Sequence, residues 1–164
     1  MTITPVPTER VSFLSQRPFD DVLASVEAAI GHPDLRELFA EITSAQTYED
    51  LIKVVAPAVG PTELMLFMKF NLGDVLGKGK TGPSPKSVRL LIGNPVTMRK
   101  MTELVPDAGT YAPITVLIDE RADGTRLSYD RIASSLQPYA NEQALNVARE
   151  LDSNVETILR NAAG

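Results

Sequence analysis

Two stretches in which every second residue is apolar set the frame for the whole chain. In KSVRLLI, from residue 86, Val88, Leu90 and Ile92 fall on one face while Ser87, Arg89 and Leu91 fall on the other; in ITVLI, Ile114, Val116 and Ile118 repeat the pattern. A period of two predicts strands with one buried face. A different period governs the end of the chain. Ala144, Ala148, Leu151, Val155, Ile158 and Ala162 recur at spacings of four and three, which predicts a long amphipathic helix laid across the sheet. Phe19, Val22, Leu23, Val26 and Ile30 form an earlier helical stripe, with Pro18 placed at the first helical position, Asp20 and Asp21 in the first turn and Gly31 at the close.

The remaining segments fill in around these. Arg10 to Leu14 (RVSFL) reads as a short first strand and Leu38 to Ile42 as a second. His32-Pro33-Asp34 is a turn, and Thr47 with Asp50 matches a capping box before a helix that ends near Pro57. Glu63 to Phe70 (ELMLFMKF) is apolar on both faces, as expected of a central strand covered on two sides. Asp123-Gly124 predicts a two-residue hairpin returning into RLSYD. The order β-α-β-α-β-β-α-β-β-α predicts an α+β fold: a mixed or antiparallel sheet of about five to six strands, helices packed mainly on one face, and a long C-terminal helix. Residues 1–9 read as a flexible arm and 10–164 as a single domain.

Composition narrows the function classes. A chain of 164 residues with 43% hydrophobic and 23% charged residues is long enough to bury a substantial core. The absence of cysteine excludes disulfides, thiol catalysis and thiolate-held metal. No apolar run reaches the roughly 18 residues that span a bilayer, and MTITPVPTER lacks the features of a secretory signal. The expectation is therefore a cytoplasmic protein with no membrane partner. A net charge of −5 argues against general nucleic-acid binding. The charge is uneven, however. Lys69, Lys78, Lys80, Lys86, Arg89, Arg99 and Lys100 are opposed only by Asp74, so this segment is +6 and the rest −11. It is either a solvated basic face with a lysine-rich flexible loop, or a surface that attracts a small anion or an acidic partner.

Several suggestive patterns carry no chemistry. Gly73 to Gly79 before Lys80-Thr81 has five intervening residues where a phosphate-binding loop needs four, and Pro83 and Pro85 stand where its helix would begin. His32 is the only histidine, so multi-histidine metal sites are excluded and a catalytic triad lacks context. Met65 and Met68, three apart on a strand, are expected to point to opposite faces, and Met98 with Met101 are explained by core packing. Neither a metal nor a cofactor is expected. Asp119, Glu120 and Asp123 surround a hairpin and read as solvated. Asp130, at a strand end beside Tyr129, is either a structural turn residue or a candidate acid/base.

One turn has a physical rationale for binding. Gly93 lets the backbone leave its strand freely, Asn94 can cap the following helix, and Pro95 can start it. A helix start there presents donors to a cleft, with Arg89 in the strand that feeds it. The alternative is simply a well-capped helix.

The same residues carry a family resemblance. LLIGNPVTMRKM, DAGTYAPITVLIDE and DGTRLSYD resemble the bacterial and archaeal domain-of-unknown-function family 302, most clearly over residues 86–135. Matching positions are Gly93, Asn94, Pro95, Met101, Tyr111, Ala112, Pro113, Gly124, Tyr129 and Asp130. The resemblance implies a small α+β sandwich, often oligomeric, and no particular reaction. It also implies a histidine after Phe70-Asn71 in some relatives and a proline before Ser134-Ser135; here Leu72 and Ala133 stand instead. The reading that follows is a noncatalytic small-ligand or partner-binding domain acting as a homodimer. Asn71, Arg89, Gly93, Asn94, Pro95, Tyr111, Tyr129 and Asp130 are its candidate ligand-binding residues, for a small anionic or polar ligand. Two alternatives stand beside it: an enzyme using Asp130 or Asp74 as acid/base, and an interaction module using the basic 69–100 face.

Overall fold

The computed structural model describes residue 1 and residues 3–164. Five strands, β1 (Arg10–Ser15), β2 (Met65–Asn71), β3 (Ser87–Gly93), β4 (Ile114–Arg121) and β5 (Gly124–Asp130), form one sheet in the order β1-β5-β4-β3-β2. Every neighbouring pair is antiparallel. Among the described residues seven α-helices accompany them: α1 (Phe19–Ala28), α2 (Leu35–Ser44), α3 (Tyr48–Val55), α4 (Leu72–Leu76), α5 (Pro95–Thr102), α6 (Ile132–Leu136) and α7 (Glu142–Ala163). The alternation of β3 and β4 comes through intact: Val88, Leu90, Ile92, Ile114, Val116 and Ile118 are all buried, joined by Leu127 and Tyr129 of β5. They face Val22 and Val26 of α1, Met101 of α5 and the stripe of α7, in which Ala148, Val155 and Leu159 lose all exposure. Burying a side chain of this kind is worth about 1.5–3 kcal/mol, so this one face supplies most of the driving force. The sheet is α+β and antiparallel, with the long C-terminal helix across it.

Local signals explain most helix starts. Asp34 accepts from the backbone N–H groups of Arg36 and Glu37, Thr47 from Asp50, Asn94 from Val96 and Thr97, and Asn141 from Ala144. Each satisfies donors that the helix itself leaves open. α6 has no such residue of its own. Its first two N–H groups, of Ile132 and Ala133, are taken instead by Asp152 of α7, Oδ1 at 3.0 Å and Oδ2 at 2.9 Å. Beside it, Glu156 accepts from Arg131 Nε (2.8 Å) and the Tyr129 hydroxyl (3.1 Å), and Arg131 reaches Glu9. Burial raises the Asp152 carboxyl above its usual value, against the pull of the two N–H groups. The hydrogen bond from Arg131 lowers Glu156.

Six expectations from the sequence are corrected. Leu38–Ile42 is not a strand but the middle of α2, because Leu35, Leu38 and Ile42 form a helical stripe that packs with Val55 and Met65 in a second apolar cluster. β2 is not central but an edge strand, buried at Met65 and exposed at Met68 (53%) and Phe70 (47%). Its register slips between Leu66 and Met68, so Met65 pairs with Gly93 and Met68 with Leu91. Those partners are two apart, which places both methionines on one face and not on opposite faces. Gly31 does not close α1, whose C-cap is Ala29. It forms a parallel bridge to Met65, and a Cβ there would overlap the Ala58 carbonyl. The hairpin lies one residue early, on Ala122-Asp123, with Gly124 already paired to Arg121. The lysine-rich segment after β2, expected as a flexible loop, opens with the short helix α4, capped by Asn71.

Candidate functional site

Because α7, α1 and α5 cover one face of the sheet, most of the other is left open, apart from its β2 end, where Met65 packs with Leu38 and Val55 of the second cluster. The register assigns Arg10, Ser12 and Leu14 of β1 to it, Arg126, Ser128 and Asp130 of β5, Thr115 and Leu117 of β4, and Arg89 and Leu91 of β3. At the end where β1 begins and β5 finishes, this face carries a groove of 690 Å³. Its floor is Leu117, Thr115 and Ser128; Leu72, Tyr111 and Pro113 wall it, and the Val6 and Thr8 segment borders it. Such a volume is within the usual range for small-molecule sites.

Two guanidinium groups stand in the groove with different commitments. Arg10 grips Asp130 with both ends of the fork, Nε at 2.7 Å and Nη2 at 2.9 Å, and the hydrogen bond to Asp130 raises its already high pKa. Arg89 has only a long contact of 3.4 Å to Thr115 Oγ1, and no ion pair among the described residues includes it. A guanidinium offers a fork of donors that matches a carboxylate or phosphate. The Tyr111 and Tyr139 hydroxyls meet at 3.1 Å, and that hydrogen bond raises the Tyr139 hydroxyl above its usual value.

A second hollow, of 310 Å³, lies at the end of β3 and β4. It is apolar: Phe39, Ile42, Phe67, Met98 and Pro113 are among its walls. Phe39 and Phe67 stack with centroids 6.4 Å apart, although Phe39 remains 49% exposed. A third hollow, of 270 Å³, lies between α1 and α4.

The eight sequence-predicted residues are therefore divided among three places. Arg89, Tyr111, Tyr129 and Asp130 border the groove; Gly93, Asn94 and Pro95 line the apolar cavity; Asn71 lines the third hollow with Asp74. Tyr129 borders the groove while its hydroxyl points away, bonded to Glu156 and the Asp152 carbonyl. Asn94 caps α5 as its sequence position implies, and its Nδ2 donates to the Glu63 carbonyl at 2.9 Å. The donors of that helix start are thus already used within the chain. The basic segment is also partly neutralised, since Lys69 pairs with Glu27 (2.7 Å), Lys86 with Asp20 (2.6 Å) and Arg99 with Glu103. Sequence reasoning missed Arg10, Thr115, Leu117 and Ser128. Their signal is their outward phase in β1, β4 and β5, which becomes readable only once the strand order is known. Among the described residues no group of three or more histidine, aspartate or glutamate side chains is placed to hold a metal ion, and no helix is long and apolar enough to cross a membrane.

Comparison with known proteins adds a family and a fold. No curated protein matches the chain. The crystal structure of an uncharacterized conserved protein DUF302 from Bacillus stearothermophilus superposes with a TM-score of 0.63 over 94% of this chain and 98% of that one, at 8% identity. At that identity the likeness speaks for the fold alone. Leu72, the position where the resemblance implies a histidine in some relatives, lines the same groove as Arg89. The model of the family described as "Domain of unknown function DUF302" matches residues 40–162, three quarters of the sequence and every element from α3 to α7, and the chain belongs to that family.

Proposed function

We propose that the protein is a noncatalytic binding domain whose groove takes a small ligand bearing a carboxylate or comparable anion, and that it works as a homodimer. The observation that carries the first part is Arg89, a guanidinium without an ionic partner in a groove of 690 Å³. Around it Leu72, Leu117 and Pro113 supply apolar walls, while Thr115 and Ser128 supply hydroxyls. A few polar groups in an apolar concavity are the usual makeup of a small-molecule site. Binding is favoured over acid/base chemistry because Asp130 is held in an ion pair with Arg10 and because the groove wall offers leucine at position 72. The homodimer reading is supported by the exposed apolar residues of the open face, Leu14, Met68 and Phe70.

Isothermal titration with acetate, propionate, benzoate, phosphate and sulfate tests the groove. At least one anion should bind the wild type, and Arg89→Met should weaken that binding about tenfold or more, the scale of a lost charged hydrogen bond. Undiminished binding by Arg89→Met, or no binding of any anion at tens of millimolar, overturns the assignment.

A further inference from the structure

Two serines line the groove with no hydrogen-bond partner among the described residues. Ser128, on β5, stands on the open face between Ser12 and Leu117, and Ser135 lies on α6, just beyond the end of that strand. Both are more than nine-tenths buried, at 9% and 7% exposure. The similarly buried Ser15, Thr125 and Ser134 each donate to a backbone carbonyl, and Ser87, which has no such partner, borders the hollow between α1 and α4. A hydroxyl shut away from both water and partners is costly. Among the described residues Arg126 Nε is the one fully buried side-chain nitrogen or oxygen left unpaired, so the oxygens of Ser128 and Ser135 keep contact with the space of the groove.

The charged side chains of the groove are Arg10, Arg89 and Asp130. Arg10 and Asp130 neutralise each other through their two-pronged contact, which leaves Arg89 as one net positive charge. A single anionic group answers it. An ammonium on the same ligand would cancel that attraction, and a second anion would face Asp130 with no free cation to meet it. The other polar atoms of a matching ligand are therefore neutral. Arg89 leans from β3 toward β4, with Nη2 3.4 Å from Thr115 Oγ1. The next strand, β5, carries Ser128 and runs about 5 Å further on. Leu117 lies between Arg89 and Ser128 in one cross-strand row, so the floor between the two polar points is carbon.

We infer that the groove takes a hydroxylated monocarboxylate of the sugar-acid type, with the carboxylate on Arg89 and hydroxyl groups on Ser128 and Ser135. This rests on the anion reading of the groove given above. A serine hydroxyl both donates and accepts, so it pairs with a ligand hydroxyl in either sense. The C–H edges of such a ligand lie over Leu117 and against the walls formed by Leu72 and Pro113. A volume of 690 Å³ accommodates an acid of about six carbons.

The test is calorimetric titration of the full chain with propionate, lactate, glycerate and gluconate, with sorbitol as an uncharged probe. Affinity should rise along that series, by about fivefold for each hydroxyl that reaches a serine, the scale of one net hydrogen bond. Ser128→Ala and Ser135→Ala each remove an oxygen that no group of the described chain uses, so both should keep the wild-type melting temperature. Each should weaken gluconate about fivefold and leave propionate unchanged. Arg89→Met should weaken propionate and gluconate alike, by about tenfold or more. Propionate binding as tightly as gluconate, or more tightly, overturns the hydroxyl assignment while the anion groove stands. Failure of all carboxylates, or sorbitol binding as tightly as gluconate, overturns both. A preference for gluconate that survives both serine substitutions places its hydroxyls elsewhere and also overturns the assignment.

Discussion

Replacing Asp152 by alanine is the sharpest perturbation of the fold itself. In the native chain its carboxylate receives the N–H groups of Ile132 and Ala133, at the start of a helix that has no cap of its own. Alanine leaves both donors without a partner. Ile132 is buried, so its N–H loses its acceptor outright; Ala133 is half-buried and recovers part of the loss from water. An orphaned buried donor costs about 1–3 kcal/mol, so two give roughly 2–5 kcal/mol before any offset. The offset is the burial of the carboxylate, which the raised pKa of Asp152 records. Removing that charge returns part of the cost, for a net loss of about 2–3 kcal/mol. For a chain of this size the melting temperature should fall by roughly 5–10 °C. Asp152→Asn keeps one acceptor but turns an amide N–H₂ toward the other donor, and should fall between wild type and alanine. Urea unfolding followed by circular dichroism measures both, with an unchanged m-value as the check that the native state is intact. The pH dependence gives an independent sign. A carboxyl whose folded pKa lies above the unfolded 3.8 contributes stability that is full below 3.8 and is lost as pH rises through the folded value. The wild type should therefore gain on Asp152→Asn as pH falls through that window. A melting temperature of Asp152→Ala within 2 °C of wild type, or a gap that narrows on acidification, refutes the reasoning.

Gly31→Ala sets a Cβ against the Ala58 carbonyl and should lower stability by about 2 kcal/mol or more, because backbone and not a flexible side chain must give way; differential scanning calorimetry reads it. Asn94→Ala removes the α5 cap together with the donor to Glu63. A loss of about 1–2 kcal/mol is expected in urea unfolding, and amide exchange in the first turn of α5 should accelerate. The pair Met68→Lys and Phe70→Lys places two charges on the open face; light scattering after size exclusion should report a dimer for wild type and a monomer for the double variant. A wild-type monomer at micromolar concentration removes the dimer reading.

How much of this was legible depended on how local the determining interactions are. β3, β4 and α7 read correctly because each buries one face, so the period of its apolar residues is that of its backbone. The Asn94 and Thr47 caps read correctly because a cap is settled within three residues. Leu38–Ile42 failed because five residues hold too few periods to separate two from 3.6. A window opened to Leu35, with Asp34 as cap, carries the helical stripe. β2 failed for a different reason. Met68 and Phe70 are apolar yet exposed, and sequence cannot distinguish an apolar edge strand from a central one. The groove was the least legible part. Arg10, Arg89, Thr115 and Asp130 come from four strands, and Arg10 meets Asp130 across 120 positions. Only the strand order and register assemble them, and neither is a property of a sequence window.

The irregular start of β2 has a consequence for how copies of this chain can associate. An edge strand with free N–H and C=O groups is a template for further strands. Here the outer side at Met65 is already occupied: Gly31 N–H donates to the Leu64 carbonyl and Leu66 N–H to the Gly31 carbonyl, each at 2.8 Å. The register then slips before Met68, and four residues later the chain turns into α4 at Leu72. An incoming strand would find a run too short and too twisted to pair along its length. Growth of the sheet from this edge into an open-ended filament is thereby blocked. Met68 and Phe70 lie on the open face and not along the hydrogen-bonding edge, so covering them would not lengthen the sheet.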